Sequence, residues 1–174
     1  MRFDPLLIWM AAAALAVLFA HAGLVKLADL ALTEQHLSAY GLPSPWLGAA
    51  ARALAVLELL TATALLSPWR SLGASLAAAL LLVYAAAMAW HRAQGHALDC
   101  GCGGEPLALS WALVLRNGVL LAAAAVASAA MAPRTLGLGD FFVIAAAVVL
   151  STLLYAAFHQ VLRHRARIAT LRRA

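Results

Sequence analysis

The sequence predicts an all-α membrane protein, a polytopic helical bundle that crosses the bilayer about five times. Of the 174 residues, 66% are hydrophobic and only 11% are charged, and the mean hydropathy is +0.92. Soluble globular domains are roughly half apolar, so this composition indicates a chain whose surface faces lipid. Apolar stretches that reach the ~20 residues of a spanning helix lie near residues 5–25, 46–66, 69–90, 107–131 and 141–161.

The breaks between these stretches contain residues that are typical of helix ends in membranes. Prolines lie in or beside the breaks, where a missing amide hydrogen is tolerated. Indole rings favour the headgroup region, and four tryptophans lie near the proposed helix ends, at Trp46, Trp69, Trp90 and Trp111. The spans are rich in alanine, and small side chains let helix backbones approach closely in lipid. We therefore expect a single transmembrane domain over residues 1–174.

The first span resembles a signal peptide at its end, where "FAHAG" places Ala20 and Ala22 in the arrangement of a cleavage site. Asp4 weakens the basic region that should precede such a peptide, so we expect an uncleaved span. Within it, His21 is expected to be a hydrogen-bonded interior histidine rather than a ligand.

The break after the first span contains "LTEQHLSAYGLP". This pattern favours a short amphipathic helix along the membrane surface, with Thr33 as its cap, although a plain connecting loop would fit equally well. In an up-and-down order of five spans, this break lies on the same side as the break that follows the third span. A helix here could then cover the side chains of that later break.

Basic residues are concentrated at the end of the chain, which carries a formal net charge of +5. Five of the twelve Lys and Arg residues fall in a basic tail over residues 163–174, namely Arg163, Arg165, Arg167, Arg172 and Arg173. Such a tail after a span is typical of a topology anchor or of a contact with anionic headgroups. The basic residues form no patch interleaved with aromatic residues, so we expect membrane lipids and not nucleic acid as a partner.

The only two cysteines, Cys100 and Cys102, are separated by Gly101 in "DCGCGGEP". A disulfide between them would close a small, strained and readily reduced ring. Pro106 is well placed to begin the next helix, and the partial positive charge of a helix N-terminus lowers the pKa of a nearby thiol. Cys100 is farther from the predicted helix start, which favours access, and Cys102 gains more from the helix dipole, so the spacing leaves open which one attacks.

Two other interpretations of the cysteine pair remain. A metal site would need further ligands, for which His91 and His96 are the nearest candidates, but the spacing matches no standard zinc pattern. An inert packing role is disfavoured by the glycine-rich, charged surroundings. The pair is therefore interpreted as redox-active, with no metal predicted.

Ionisable side chains within the spans form the second candidate group. Glu58 lies near the middle of the second span and needs a cationic partner at that depth. Arg116 in the fourth span lies at a similar depth, and Lys26 at the end of the first span is the competing partner. Asn117 could hydrogen-bond across helices in either case. These residues either fix helix register or tune the thiols and line a small-molecule pocket.

Several of these segments together resemble the methylamine utilisation protein MauE family, within a wider DoxX-like group of redox-associated membrane proteins. The resemblance covers roughly residues 15–125 and rests on "GLVKLADL", "YGLP", "LELLTATALL", "DCGCGG" and "LRN". It implies a multi-pass protein of the bacterial inner membrane that supports maturation of the disulfide-rich small subunit of methylamine dehydrogenase. It also implies a thioredoxin-like partner of the MauD type.

The resemblance also assigns roles to residues. By motif match, Cys100 and Cys102 take the redox role, and the supporting positions are Gly101, Lys26, Glu58, Arg116 and Asn117. The bundle is similar in outline to a four-helix core of the vitamin K epoxide reductase type, in which cysteines at a helix start exchange electrons with a quinone. A quinone is thus implied by resemblance only; no cofactor is otherwise evident and the cofactor-binding residues are unassigned.

The two topology arguments conflict. The positive-inside rule puts the basic tail in the cytoplasm, and with it the Cys100 segment. A periplasmic client requires the cysteines to face the periplasm, where disulfides persist. We favour the periplasmic orientation.

Two other functions stay open: a non-catalytic assembly factor with a structural cysteine pair, and a metal-handling protein that uses Cys100, Cys102 and His96.

Overall fold

A computed structural model of the chain describes residues 2–95 and 110–171, which form six α-helices. Their bounds are α1 Pro5–Ala28, α2 Leu30–Ala39, α3 Leu47–Leu65, α4 Arg70–Ala93, α5 Trp111–Ser128 and α6 Leu138–Leu171, with a short 3-10 turn at Ser44–Trp46. Five segments are long and apolar enough to cross a membrane: α1, Ser44–Leu65, α4, α5 and Leu138–Leu162. The prediction of an all-α bundle of five spanning helices is confirmed.

Four of these helices form the core of the bundle. α1 packs against α3 and α5, and α4 packs against the same two helices, which closes a ring. α6 contacts α1 from outside, and none of its spanning stretch is buried. The interior is filled by alanines and a few larger side chains, including Ala12, Leu15, Phe19, Leu65, Ala77, Leu81 and Ala124. The alanine-rich spans thus pack as closely as their composition predicts.

Two glycines permit the closest approach between helices. A Cβ atom on Gly73 would lie 2.5 Å from the backbone nitrogen of Leu65 and 2.7 Å from the carbonyl carbon of Ala64. A Cβ atom on Gly23 would lie 2.9 Å from the backbone oxygen of Ala55. Any larger residue at these positions forces backbone atoms apart, so the α3–α4 and α1–α3 contacts depend on glycine.

A helix forms where the sequence favoured a short amphipathic helix or a connecting loop, as α2, but with a different cap. The Asp29 carboxylate accepts a hydrogen bond from the backbone N–H of Leu32 at 2.9 Å. Thr33, predicted as the cap, is buried, and its hydroxyl donates to the backbone oxygen of Asp29 at 3.0 Å. The prediction of Thr33 was therefore wrong by one helical turn, because Asp29 already satisfies the free N–H groups at the helix start.

At the opposite end of the bundle, Arg134 joins the beginning of α1 to the beginning of α6. Its Nη1 lies 2.6 Å from Oδ1 of Asp4, which caps α1, and its Nη2 lies 2.6 Å from Oδ1 of Asp140. The hydrogen bond to Asp140, together with the charges of both carboxylates, raises the pKa of the Arg134 guanidinium. The backbone N–H of Ala132 also donates to the Phe3 oxygen at 2.8 Å. The N-terminus is therefore held against the α5–α6 connection.

The C-terminal segment continues α6. This helix runs to Leu171, whereas its spanning stretch ends at Leu162. Most of the segment predicted as a basic tail is therefore helical in its backbone. The side chains of Arg163, Arg165 and Arg167 and residues 172–174 lie outside the described part of the chain, so the anchoring role of the arginines remains a prediction.

Candidate functional site

A buried ion pair joins α1 to α3. Lys26, in the last turn of α1, donates to both carboxylate oxygens of Glu58, with Nζ–Oε distances of 2.8 and 2.9 Å. Lys26 is 6% exposed and Glu58 is fully buried. A charge in this apolar interior requires an opposite charge within hydrogen-bond distance. Of the two candidate partners for Glu58, Lys26 is the one that forms the ion pair in the structure.

Tyr84 connects the ion pair to α4. Its hydroxyl donates to Oε1 of Glu58 at 2.5 Å, and the Lys26 Nζ lies 5.8 Å from the centre of its ring, within cation–π range. Three helices therefore meet at the Glu58 carboxylate. Tyr84 was not among the residues predicted from the sequence, although an isolated tyrosine within an alanine- and leucine-rich span is a signal for a buried hydrogen bond.

Arg116 contacts α6 instead of Glu58. Its Nη1 donates to the Tyr155 hydroxyl at 3.2 Å and lies 2.8 Å from Nε2 of His159. The guanidinium carbon also lies 5.5 Å from the centre of the Tyr155 ring. Arg116 is therefore not the partner of Glu58, since it is directed to a helix outside the four-helix core. Neither Tyr155 nor His159 was among the residues predicted from the sequence.

Asn117, the next residue on α5, is 2% exposed. Its Oδ1 accepts a hydrogen bond from Nη2 of Arg116 at 3.3 Å. Its Nδ2 has no hydrogen-bond partner among the residues that the structure describes. An amide donor that is buried without an acceptor costs free energy, so this group is a candidate for ligand contact.

Most of these polar residues line a cavity of about 410 Å³ within the bundle. The cavity is partly open, and most of its lining surface is apolar. Its polar lining includes Lys26, Thr33, Glu58, Tyr84, Arg116, Asn117 and Tyr155. His21 also lines it but is exposed, so the prediction of an interior histidine at this position was wrong.

The segment after α2 and the end of α4 lie together. The rings of Tyr40 and His91 make an edge-to-face contact with a centroid distance of 4.9 Å. α4 ends at Ala93, and the first described range of the chain ends two residues later, at Gly95. The first break and the beginning of the cysteine segment therefore share one end of the bundle, as the up-and-down order predicts.

The cysteine segment itself cannot be compared with its prediction. Cys100, Gly101 and Cys102 lie outside the described residues, as do His96 and Pro106. Their redox, structural or metal-binding roles remain predictions. Within residues 2–95 and 110–171, no group of three or more His, Cys, Asp or Glu side chains is arranged to hold a metal ion.

Comparison with known protein families shows to which family the chain belongs. A sequence model of the methylamine utilisation protein MauE family matches residues 4–130. The chain belongs to the MauE family. The match includes the core helices α1, α3, α4 and α5, and with them every residue of the Lys26–Glu58–Tyr84 cluster. Tyr155 and His159 on α6 lie beyond it.

The MauE assignment confirms the resemblance seen in the sequence and makes the chain a multi-pass membrane protein associated with methylamine utilisation. No curated protein and no solved structure matches the chain significantly. The likeness of the four-helix core to the vitamin K epoxide reductase type therefore stays a prediction.

Proposed function

We propose that the chain is a thiol–disulfide redox protein of the bacterial inner membrane. Cys100 and Cys102 exchange a disulfide with a thioredoxin-like partner of the MauD type during maturation of the methylamine dehydrogenase small subunit. The observation that carries this proposal is the position of the only two cysteines in a MauE-family chain: the connection that holds them joins α4 to α5 at one end of the bundle.

The connection that contains the cysteines begins after α4 and ends before α5. α4 and α5 are the most extensively packed pair of helices in the bundle. The connection between them therefore leaves from a rigid base, which favours productive contact with a soluble partner.

The exchange balances without an external electron acceptor. The thiolate of one cysteine attacks a sulfur of the partner's disulfide, which forms a mixed disulfide and releases the partner's second sulfur as a thiolate. The other cysteine then attacks the mixed disulfide, which closes the Cys100–Cys102 bond and leaves the partner as a dithiol. Two electrons pass from the pair to the partner, and the reverse sequence oxidises the partner. The two reduction potentials set the direction.

Lys26, Glu58 and Arg116 support this role by positioning helices. The ion pair holds α1 against α3, and the hydrogen bond from Tyr84 to Glu58 holds α4 against α3. The connection that contains the cysteines follows the end of α4. Arg116 fixes α5, which continues from that connection, against α6. These contacts support a stable frame for the cysteine segment.

The redox state of the cysteines in intact cells tests the proposal. Cells are treated with a membrane-impermeant, mass-tagged maleimide before and after mild reduction, and the protein mass is read out. We expect labelling of both cysteines only after reduction, because the disulfide is labile and faces the periplasm. The Cys100→Ser/Cys102→Ser double variant, which has no cysteine, measures the background.

Other results would contradict the proposal. Labelling without reduction would show free thiols, and labelling only after the membrane is opened would place the pair in the cytoplasm. Growth on methylamine provides the second readout. If the double variant supports growth as well as the unaltered protein does, the cysteines are not required, and the chain acts as a membrane assembly factor.

A further inference from the structure

We propose that the cavity beside Arg116 and Asn117 binds a single-chain amphiphile with an anionic oxygen headgroup, the chemical class to which fatty-acid carboxylates belong. The Asn117 Nδ2 donates a hydrogen bond to the headgroup, and the Arg116 guanidinium supplies the opposite charge. The alkyl chain lies among the apolar side chains of the cavity. Neither cysteine takes part in this binding, so it is independent of the proposed thiol chemistry.

Asn117 requires an acceptor atom from the ligand. A guanidinium can only donate, so the hydrogen bond from Arg116 to Oδ1 fixes the orientation of the Asn117 amide. Its Nδ2 is then a donor without an acceptor among the described residues, although the side chain is 2% exposed and lines the cavity. The ligand atom that meets this group is therefore an acceptor, such as a carboxylate oxygen.

The charges of the cavity lining favour an anionic acceptor over a neutral one. The cationic side chains of the described lining are Lys26 and Arg116, and its carboxylate is Glu58. Lys26 and Glu58 neutralise each other at 2.8 Å. The lining histidines, His21 and His36, add no negative charge. The described lining therefore has an excess of positive charge, which the Arg116 guanidinium provides.

Arg116 holds this charge directly beside Asn117. Its Nη2 lies 3.3 Å from Oδ1 of Asn117, so a headgroup that accepts from the amide has the guanidinium as its neighbour. The Tyr155 hydroxyl and Nε2 of His159 both accept from Nη1, which positions the side chain without adding a negative charge. An ionisable side chain within a spanning helix is costly and typically marks a functional site. A carboxylate at Nδ2 is the complementary ligand.

The rest of the cavity suits an alkyl chain. Its volume of about 410 Å³ lies toward the lower end of the roughly 300–1,000 Å³ that is typical of small-molecule sites, which favours one chain over two. Most of the lining surface is apolar, and Phe19, Leu54 and Leu120 contribute to it.

The cavity also reaches the lateral surface of the bundle. Val83 lies in the middle of the spanning helix α4, lines the cavity, and is 63% exposed. At this depth the exposed surface of a spanning helix faces the hydrocarbon region. An alkyl chain therefore has a direct route into the cavity from the bilayer.

The test compares two probes that differ in charge. Decanoate and methyl decanoate have the same alkyl chain and the same acceptor oxygens, but only decanoate is anionic at mildly alkaline pH. Binding of each radiolabelled probe to the full-length protein in phosphatidylcholine nanodiscs is measured by equilibrium dialysis, with empty nanodiscs as the partition control. We expect decanoate to bind about tenfold more tightly than the ester, because a hydrogen bond to a charged acceptor contributes more than one to a neutral acceptor.

Variants of the polar residues identify the groups that hold the headgroup. Arg116→Gln removes the charge and should abolish the preference for decanoate, whereas Arg116→Lys keeps the charge and should retain a preference. Asn117→Leu removes the donor at similar volume and should weaken decanoate binding by about tenfold. Gel filtration and circular dichroism verify that each variant is folded. The comparison of the two probes on the unaltered protein does not depend on any variant.

Two further variants locate the alkyl chain. Ala87→Phe fills the cavity from α4 and should reduce the binding of both probes. Val119→Ala changes a residue of α5 that is 64% exposed and lies outside the cavity lining, so it should alter neither.

A phospholipid headgroup presents the same anionic oxygen chemistry, and a second set of nanodiscs distinguishes the two sources. Phosphatidylglycerol in the nanodiscs lowers decanoate uptake through its surface charge, and it does so equally for the unaltered protein and Arg116→Gln. We expect the difference between these two proteins to persist. Its disappearance would show that phosphatidylglycerol occupies the site, which would overturn a single-chain ligand.

Three other results would overturn the proposal: binding of methyl decanoate as tight as that of decanoate, uptake no greater than in empty nanodiscs, or an undiminished preference in Arg116→Gln. None of these results affects the maleimide labelling of Cys100 and Cys102, so failure of this site and failure of the thiol proposal can be distinguished.

Discussion

Lys26 and Glu58 join the last turn of α1 to the middle of α3 through two hydrogen bonds of 2.8 and 2.9 Å in an interior composed mainly of alanine and leucine. Neither charge has access to bulk water, since Lys26 is 6% exposed and Glu58 is fully buried. Each therefore depends on the other, and the pair determines how α1 and α3 are aligned.

Removing one charge of this pair should destabilise the protein strongly. Glu58→Gln leaves the Lys26 ammonium buried without a counter-ion, at a cost of about 3–5 kcal/mol in the free energy of unfolding. Lys26→Met/Glu58→Met removes both charges and should recover most of that loss. Unfolding by a denaturing detergent, followed by circular dichroism, measures both. Arg52→Gln, on the exposed face of α3, is the control, with a change within about 0.5 kcal/mol. Equal stability of Glu58→Gln and the unaltered protein would refute the importance of the pair.

Tyr84→Phe should destabilise the protein by removing the hydrogen bond to Glu58. The substitution keeps the ring but removes the hydroxyl that donates to Oε1 at 2.5 Å, and a hydrogen bond to a charged acceptor contributes about 1.5–3 kcal/mol. The same substitution in the Lys26→Met/Glu58→Met background should have little effect, because the acceptor is gone. Thermal melting in detergent gives both values. A similar loss in the two backgrounds would mean that the hydroxyl acts through some other contact.

Gly73→Ala should loosen the α3–α4 packing. Its Cβ would lie 2.5 Å from the Leu65 nitrogen, so backbone atoms must move, at a cost of about 1–3 kcal/mol. The matched control is Gly118→Ala in α5, where an added Cβ meets nothing within 4 Å and the higher helix propensity of alanine stabilises by up to about 1 kcal/mol. Opposite signs for the two variants in the same unfolding assay are expected. Equal effects would contradict the close helix contact at Gly73.

The orientation of the bundle can be determined with single cysteines in the Cys100→Ser/Cys102→Ser background. Ser38, exposed at the end of α2, shares an end with the cysteine connection, whereas Thr135 is exposed in the connection before α6 at the other end. We expect a membrane-impermeant maleimide to label Ser38→Cys in intact cells and Thr135→Cys only after the membrane is opened. The reverse pattern would place the cysteine connection in the cytoplasm. Labelling of both positions in intact cells would contradict the three spans that separate Ser38 from Thr135.

Much of the fold follows from the sequence. Spans of hydrocarbon length with tryptophans and prolines at their ends determine five spanning helices, because lipid leaves an apolar chain few alternatives to the helix. Depth along a helix identified Glu58 as a residue that needs a buried cation. The quoted motifs placed the chain in the right family, which the match over residues 4–130 confirms.

Only the tertiary structure decided which residues meet. Lys26 and Arg116 both lie at a depth in the membrane that would permit a contact with Glu58. The rotation of each helix about its own axis directs Lys26 toward Glu58 and Arg116 toward Tyr155 and His159. Such rotations are set by close contacts across helices, as at Gly73, and alanine-rich spans carry only a weak pattern from which to read them. The cavity has the same origin: residues of all six helices line it, so no single segment of the sequence encodes it.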